Sequence, residues 1–289
     1  MAIAMPRSKG RHSGRSIIRR ALGYTVLAFF AVVFIYPFVL SLATSFKSQA
    51  DVGARPIGLL PKPFDLRAWR FMTRYDVPRW ALNSVIVTTS VTFLRIVLDS
   101  MAGYSLARLS FRGRASISGA IVATMAVPGI VLAIPRFLVL KQLGMLNSYT
   151  GMILPLATDA FGIFLMKQFF ESIPREIEEA ARIDGANTFQ VFSKVVLPLA
   201  APGVITLSIL SFQGVWNEFL HILISRPSRP ELATLPVGLA TLRGGAVGQS
   251  LDFPILLAGS ILTIIPVAIV FFIFQRFFVS GVAATGVKG

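Results

Sequence analysis

The sequence predicts an all-α membrane protein in which six transmembrane helices carry one hydrophilic helix–turn–helix elbow. Three observations lead there. Of its residues, 54% are hydrophobic and 14% charged, and the mean hydropathy is +0.72, a balance found in membrane proteins rather than in globular enzymes. Six apolar runs each approach the roughly 20 residues needed to cross a bilayer. Between the fourth and fifth runs lies a stretch, Pro174 to Pro198, that is too polar to span.

Residues 1–20 hold Arg7, Lys9, Arg11, Arg15, Arg19 and Arg20 with no acid among them, which makes a basic tail attracted to lipid headgroups. The run from Ala21 to about Phe46 exceeds the roughly 7–15 residues of a signal-peptide core, so it reads as a retained first span. Pro37 is expected to kink it. Residues 47–79 are polar, and Trp69 and Trp80 suit a membrane interface. The remaining spans are Trp80–Ala107, Ile117–Leu140, Tyr149–Phe170, Pro202–Ile224 and Phe253–Phe278. The domain therefore covers 21–278, followed by a tail at 279–289 made of small residues with one charge, Lys288.

The N-terminal basic cluster places the N-terminus in the cytoplasm, and six crossings return the C-terminus to the same side. The first outer loop is basic as well, with Lys47, Arg55, Lys62 and Arg67 among others, so the charge rule supports this topology only in part. The net charge of +15 is dispersed between apolar spans, which fits membrane electrostatics and not nucleic acid. There is no cysteine, hence no disulfide and no thiol-ligated metal. His12 and His221 lie too far apart for ligand spacing.

Within the elbow, Ile177, Ala180 and Ala181 fall at i, i+3 and i+4 on one helix face. Pro174 suits a first helical turn, and Glu176, Glu178 and Glu179 favour the positive end of the helix dipole. Gly185 follows Asp184 where a left-handed C-terminal turn is needed. Asn187 or Thr188 then caps a second helix, on which Phe189, Phe192, Val195 and Val196 share a face.

These residues carry a resemblance. Glu179-Ala180-Ala181, Asp184-Gly185-Ala186, Phe189, Phe192 and Leu197-Pro198 resemble the "EAA" loop of ABC importer permeases, in the sugar-uptake branch typified by the smaller maltose permease subunit. Ala102–Arg108 with Phe111-Arg112-Gly113, Trp216-Asn217-Glu218-Phe219 and the ending Gln275-Arg276-Phe277-Phe278 resemble further stretches of that family. The resemblance implies a permease domain that pairs with a second permease subunit, two ATPase subunits and an extracytoplasmic sugar-binding protein in the cell membrane. It implies coupling to the ATPases through Glu178, Glu179, Ala180, Ala181, Asp184, Gly185, Ala186, Phe189, Phe192 and Pro198. ATP binding would draw the elbows together while the helical cores rock between inward- and outward-open states. It also implies that the tail residues Val287, Lys288 and Gly289 contact the ATPases, and that a loop with Gly244, Gly245, Ala246, Val247 and Gly248 at its tip enters the binding protein. For that loop, an ordinary flexible hairpin is the other reading; for the tail, a frayed end.

No G-x-x-x-x-G-K-[ST] sequence occurs, so ATP and Mg are expected on partner subunits and no cofactor in this chain. No G-x-S-x-G elbow or H-E-x-x-H pair occurs either, and the chain does not read as an enzyme. Charges inside spans are costly and face protein or water. Arg95 and Asp99, four apart on one helix, are expected to pair with each other. Asp159 either lines a pathway or bonds to a neighbouring helix. Gln213, Trp216, Asn217 and Glu218 offer amides, a carboxylate and an indole, which suit a sugar's hydroxyls and C–H face. Helix–helix packing is the equal alternative for them. The rival transport class is a secondary transporter running on an ion gradient, for which inverted repeats would be wanted.

Overall fold

The computed structural model describes residues 14–244 and 252–286. Among them, three helices are long and apolar enough to cross a membrane: the Arg20–Thr44 part of α1 (Gly14–Thr44), α4 (Val77–Arg108) and the Phe253–Ile273 part of the last helix. The count reaches six only if each of three bent pairs is one span. The expected third and fourth crossings are two of those pairs; the remaining pair joins the second arm of the elbow to Ala201–Trp216, and the expected fifth crossing, Pro202–Ile224, is split between Ala201–Trp216 and Leu220–Ser225. The two arms meet at 98° between Arg114–Met125 and Gly129–Gln142, at 41° between Tyr149–Leu156 and Ala160–Ser172, and at 79° between Thr188–Leu199 and Ala201–Trp216.

The chain divides into two compact units: residues 1–71 with 252–261, and residues 72–251 with 262–289. In the first, α1 continues through Pro37 as one helix. The short helices α2 (Gln49–Ala54) and α3 (Arg67–Met72) follow in the polar segment. Phe46 stacks on Phe64 and Trp69 at centroid distances of 5.1 and 5.7 Å, and the Trp69 indole N–H donates to Ser45 Oγ. Lys47 is buried and donates to the Arg55 carbonyl at 2.9 Å. Asp51 accepts from the Lys62 backbone N–H at 3.0 Å and from Arg55 Nε at 2.9 Å.

The second unit is built on α4. Asp76 caps its start by accepting from the Arg79 N–H, and Pro78 sits in the first turn, where no N–H is missed. After α4 come α5 (Arg114–Met125), α6 (Ala133–Gln142), α7 (Tyr149–Ile153) and α8 (Ala160–Ser172). The elbow supplies α9 (Arg175–Ile183), α10 (Thr188–Gln190) and α11 (Leu197–Leu199), with a π-helical turn at Val191–Val196. Then follow α12 (Ala201–Trp216), α13 (Leu220–Ser225), α14 (Leu235–Gly244) and, from Leu262 on, α15 (Phe253–Gly286), whose residues up to Ile261 belong to the first unit.

Both α8 and α12 pack along α4. At Gly103 a Cβ would stand 2.8 Å from Met166 Cβ and 2.9 Å from the Lys167 backbone nitrogen, so glycine is what lets α4 and α8 approach. Asn83 donates to the carbonyls of Glu231 and Ala233 at 2.8 Å each and accepts from the Tyr149 hydroxyl, which ties the 230–235 segment to α4. Trp80 is not an interface anchor: it is buried with Trp216, Ala233 and Leu235, its ring lying over Gly238.

The expected Arg95–Asp99 pair is replaced by something more useful. The break between α7 and α8 leaves backbone groups without helical partners. Arg95 Nε donates to the Leu156 carbonyl at 2.8 Å, while Asp99 Oδ1 accepts from Thr158 Oγ1 at 2.7 Å and from the Asp159 N–H at 3.2 Å. The cation thus sits at the C-terminal end of one short helix and the anion at the N-terminal end of the next, each where the helix dipole favours it.

Candidate functional site

The elbow begins with α9, whose first turn holds Glu176 and Glu178 and whose last turn holds Arg182. Its end is a Schellman motif. Gly185 has φ +87°, its N–H donates to the Arg182 carbonyl, and the Ala186 N–H reaches back to the Ala181 carbonyl, both at 3.0 Å. Of the two expected caps, Asn187 is the one used. It forms a reciprocal capping box with Gln190, at 2.8 and 2.9 Å.

The next turn is π-helical for a local reason. Pro198 lacks the N–H for a regular α-bond, and its ring would crowd the carbonyl four residues back. Widening the preceding turn lets the Leu197 N–H bond to the Phe192 carbonyl instead. The extra residue per turn also rotates the face. Phe192 and Val196 join the core with Tyr104, Met166 and Phe170, whereas Phe189 is 66% exposed.

The inward face of α9 differs from the expected one. It runs through Glu178 and Ala181, while Ile177 and Ala180 face outward. The glutamate turns in because a counter-charge waits there. Arg108 Nε, at the end of α4, lies 2.7 Å from Glu178 Oε1, and both side chains are buried. The Tyr104 hydroxyl donates to Glu178 Oε2 at 3.3 Å. The same guanidinium donates to the Phe170 carbonyl at 2.5 Å and to the Ile173 carbonyl, the last acceptors of α8 and its exit. One arginine therefore holds the end of α4, the end of α8 and the start of the elbow.

What remains on the outer surface is a small-residue patch with an apolar tip. Glu179, Ala180, Asp184, Gly185 and Pro198 are exposed, Ala181 and Ala186 are half-buried, and Ile183, like Phe189, is largely exposed, at 86%. Ile183 was not among the expected surface residues. Its signal was available in the sequence, as an isoleucine at the C-terminal end of an acidic helix, one step before the turn.

A second locality gathers at the breaks in the third and fifth spans. Trp216 is 1% exposed and donates its indole N–H to the Thr263 carbonyl at 3.1 Å, so it is a packing residue rather than a stacking platform. Asn217 closes α12 with its side-chain amide on the Gln213 carbonyl at 2.9 Å, and Gln213 itself is exposed. Glu218 accepts from the His221 N–H at 2.9 Å at the start of α13. Asp159 caps α8 by accepting from the Gly162 N–H, a bond within its own helix. A cavity of about 230 Å³ is lined by Gly129, Ala133, Arg136, Glu218, His221 and Ile224. Of the expected pathway residues, only Glu218 reaches it. Residues 245–248 and 287–289, and with them most of the expected loop tip and the whole expected tail contact, lie outside the described residues. No cluster of metal-ligating side chains occurs among the described residues.

Residues 99–284, which include the elbow and both span breaks, match the family described as "binding-protein-dependent transport system inner membrane component". The chain belongs to that family. It is similar to the sulfoquinovosyl glycerol transport system permease protein SmoH of Agrobacterium fabrum, with 37% identity over 88% of this chain and 89% of that one. The arabinooligosaccharides transport system permease protein AraQ of Halalkalibacterium halodurans is 33% identical over 93% and 95%. Among solved structures, a chain of a bacterial ABC transporter involved in import of the acidic polysaccharide alginate superposes with a TM-score of 0.76. It is 29% identical, over 92% of this chain and 99% of that one. As a family member this chain is a membrane permease subunit of an ABC-type importer.

Proposed function

We propose that this chain forms half of the translocation pathway of an ATP-driven sugar importer and couples to its ATPases through the 174–198 elbow. It would work beside a second permease subunit, two ATPase subunits and an extracytoplasmic binding protein, with both termini in the cytoplasm. The observation that carries this reading is the division of labour in the elbow. Its inner face is locked to α4 and α8 through Arg108 and Glu178, and its outer face presents Ile183 and Phe189 without a covering element. A push on the outer face is thereby delivered to the ends of two helices. Exposed apolar side chains rimmed by polar ones mark a protein contact.

A saccharide cargo is supported by the named cargoes of the similar proteins, glycosides and oligosaccharides among them. The finer likeness to the smaller maltose permease subunit rests on the elbow sequence. The glycine-rich loop at 244–248 and the tail at 287–289 remain proposed contacts with the binding protein and the ATPases. Reconstituted uptake that is inhibited by vanadate, together with co-purification of an ATPase, is the expected result. Uptake that instead collapses with the ion gradient would make this a secondary transporter.

A further inference from the structure

We propose that the cavity around Arg136 binds an acidic group, a carboxylate, sulfonate or phosphate, on a charged saccharide. This inference rests on the sugar-import reading above and names the cargo class for it. Arg136 lies on α6, the second arm of the bent third span, half-buried and lining the cavity. A cation in such a segment is costly unless it meets a counter-charge or water. Among the described residues, none forms an ion pair or a hydrogen bond with its guanidinium.

Two charged or titratable neighbours face the same space, and neither neutralises it. His221 is 1% exposed, with Nε2 against the carbonyls of Gly151 and Met152 at 3.1 and 3.2 Å. Those two acceptors require a proton on Nε2, so the ring presents a fixed donor to the backbone and supplies no negative charge. Glu218 is held at the start of α13 by the His221 N–H, 2.9 Å away, and does not reach Arg136. The cavity thus offers a free cation at one point and an anchored acceptor at another. A sugar acid has the complementary pattern, with one anionic substituent and several hydroxyl donors. The guanidinium fork matches a carboxylate, sulfonate or phosphate through paired hydrogen bonds.

The rest of the lining, Gly129, Ala133 and Ile224 among it, is small or apolar. At about 230 Å³ the space falls below the roughly 300–1,000 Å³ of complete ligand pockets. It is sized for one sugar unit against one wall, as half of a pathway would be.

The test uses the assembled transporter in proteoliposomes, with a uronic-acid disaccharide and its carboxyl-reduced neutral counterpart as probes. Wild type is expected to take up the acidic probe in preference. Arg136→Gln should lower the ratio of acidic to neutral uptake about tenfold or more, the value of one charge-assisted pair, and Arg136→Lys should restore part of it. Lys141→Gln, on the exposed end of the same helix, should leave the ratio unchanged. A wild type that prefers the neutral probe overturns the proposal. So does an Arg136→Gln protein that co-purifies with its ATPase and loses both uptakes equally, because Arg136 would then act in packing or gating. Whether uptake is vanadate-sensitive is read separately, so failure of the import reading is distinguishable from failure of the acidic site.

Discussion

Arg108 and Glu178 stand 2.7 Å apart with both side chains buried, and they join the end of α4 to the first helix of the elbow. The pair explains how a short surface helix of only nine residues is held firmly against the ends of α4 and α8. An isolated helix of that length is marginal in water, so its rigidity comes from this anchor and from the aromatic cluster of Tyr104, Phe170 and Phe192 around it.

Removing one partner should be costly. Glu178→Ala leaves a buried guanidinium uncompensated, and the expected destabilisation is about 3–5 kcal/mol, seen as a lowered Tm of the purified chain. A double-mutant cycle with Arg108→Ala should show strong coupling. Additive losses would mean that the two residues act independently.

Gly185 sits at φ +87°, where a side chain costs about 1–2 kcal/mol in left-handed backbone and a β-branched one more. Nothing lies within 4 Å of its would-be Cβ, so the penalty is conformational and not steric. Gly185→Val should uncouple ATPase activity from uptake, while Gly185→Asn retains most coupling. Equal activity in both variants would contradict this.

The two exposed apolar residues of the elbow make an opposite prediction. Ile183→Ser and Phe189→Ser remove largely exposed side chains, of which only the Phe189 ring touches the core, at its edge against Phe192. Thermal stability should shift by less than about 0.5 kcal/mol, as for ordinary surface substitutions, whereas retention of the ATPase on an affinity column should fall severalfold. Destabilisation without loss of the partner would reverse the assignment.

In the polar segment after α1, the Lys62 backbone N–H holds the Asp51 carboxyl below its usual range, with the Arg55 guanidinium helping against some desolvation. A carboxyl whose folded pKa is depressed stabilises above its unfolded pKa, and that stability is lost as pH falls through the folded value. Limited proteolysis of residues 47–65 should therefore accelerate as pH drops below the ordinary aspartate range. Asp51→Asn should be cleaved at a rate that no longer depends on pH there.

Much of this protein is local and was legible as such. Apolar runs near membrane length, the Gly185 turn, an Asn187 cap and the polar elbow depend on short-range periodicity and backbone preference, which a sequence displays directly. The bend in the expected third span is also local in cause, at Pro128, where proline interrupts the ladder, yet hydropathy averages across such a break. What no periodicity announces is which groups meet. Arg95 and Asp99 are well spaced for an i, i+4 pair, but two orphaned helix ends brought alongside by α8 compete for them and win. Trp216 and Trp80 look amphipathic in sequence and become core because α14 and α15 cover them.

By itself, then, the sequence determined the class of molecule, its family and the place of its elbow, because composition, run length and turn chemistry act over a few residues. Tertiary structure alone decided which glutamate turns inward and which helix ends Arg95 and Asp99 serve, and it leaves Arg136 without an ion-pair partner among the described residues. Those outcomes depend on the energy of burying a charge, and that energy is set by partners seventy residues away along the chain, as Arg108 is for Glu178.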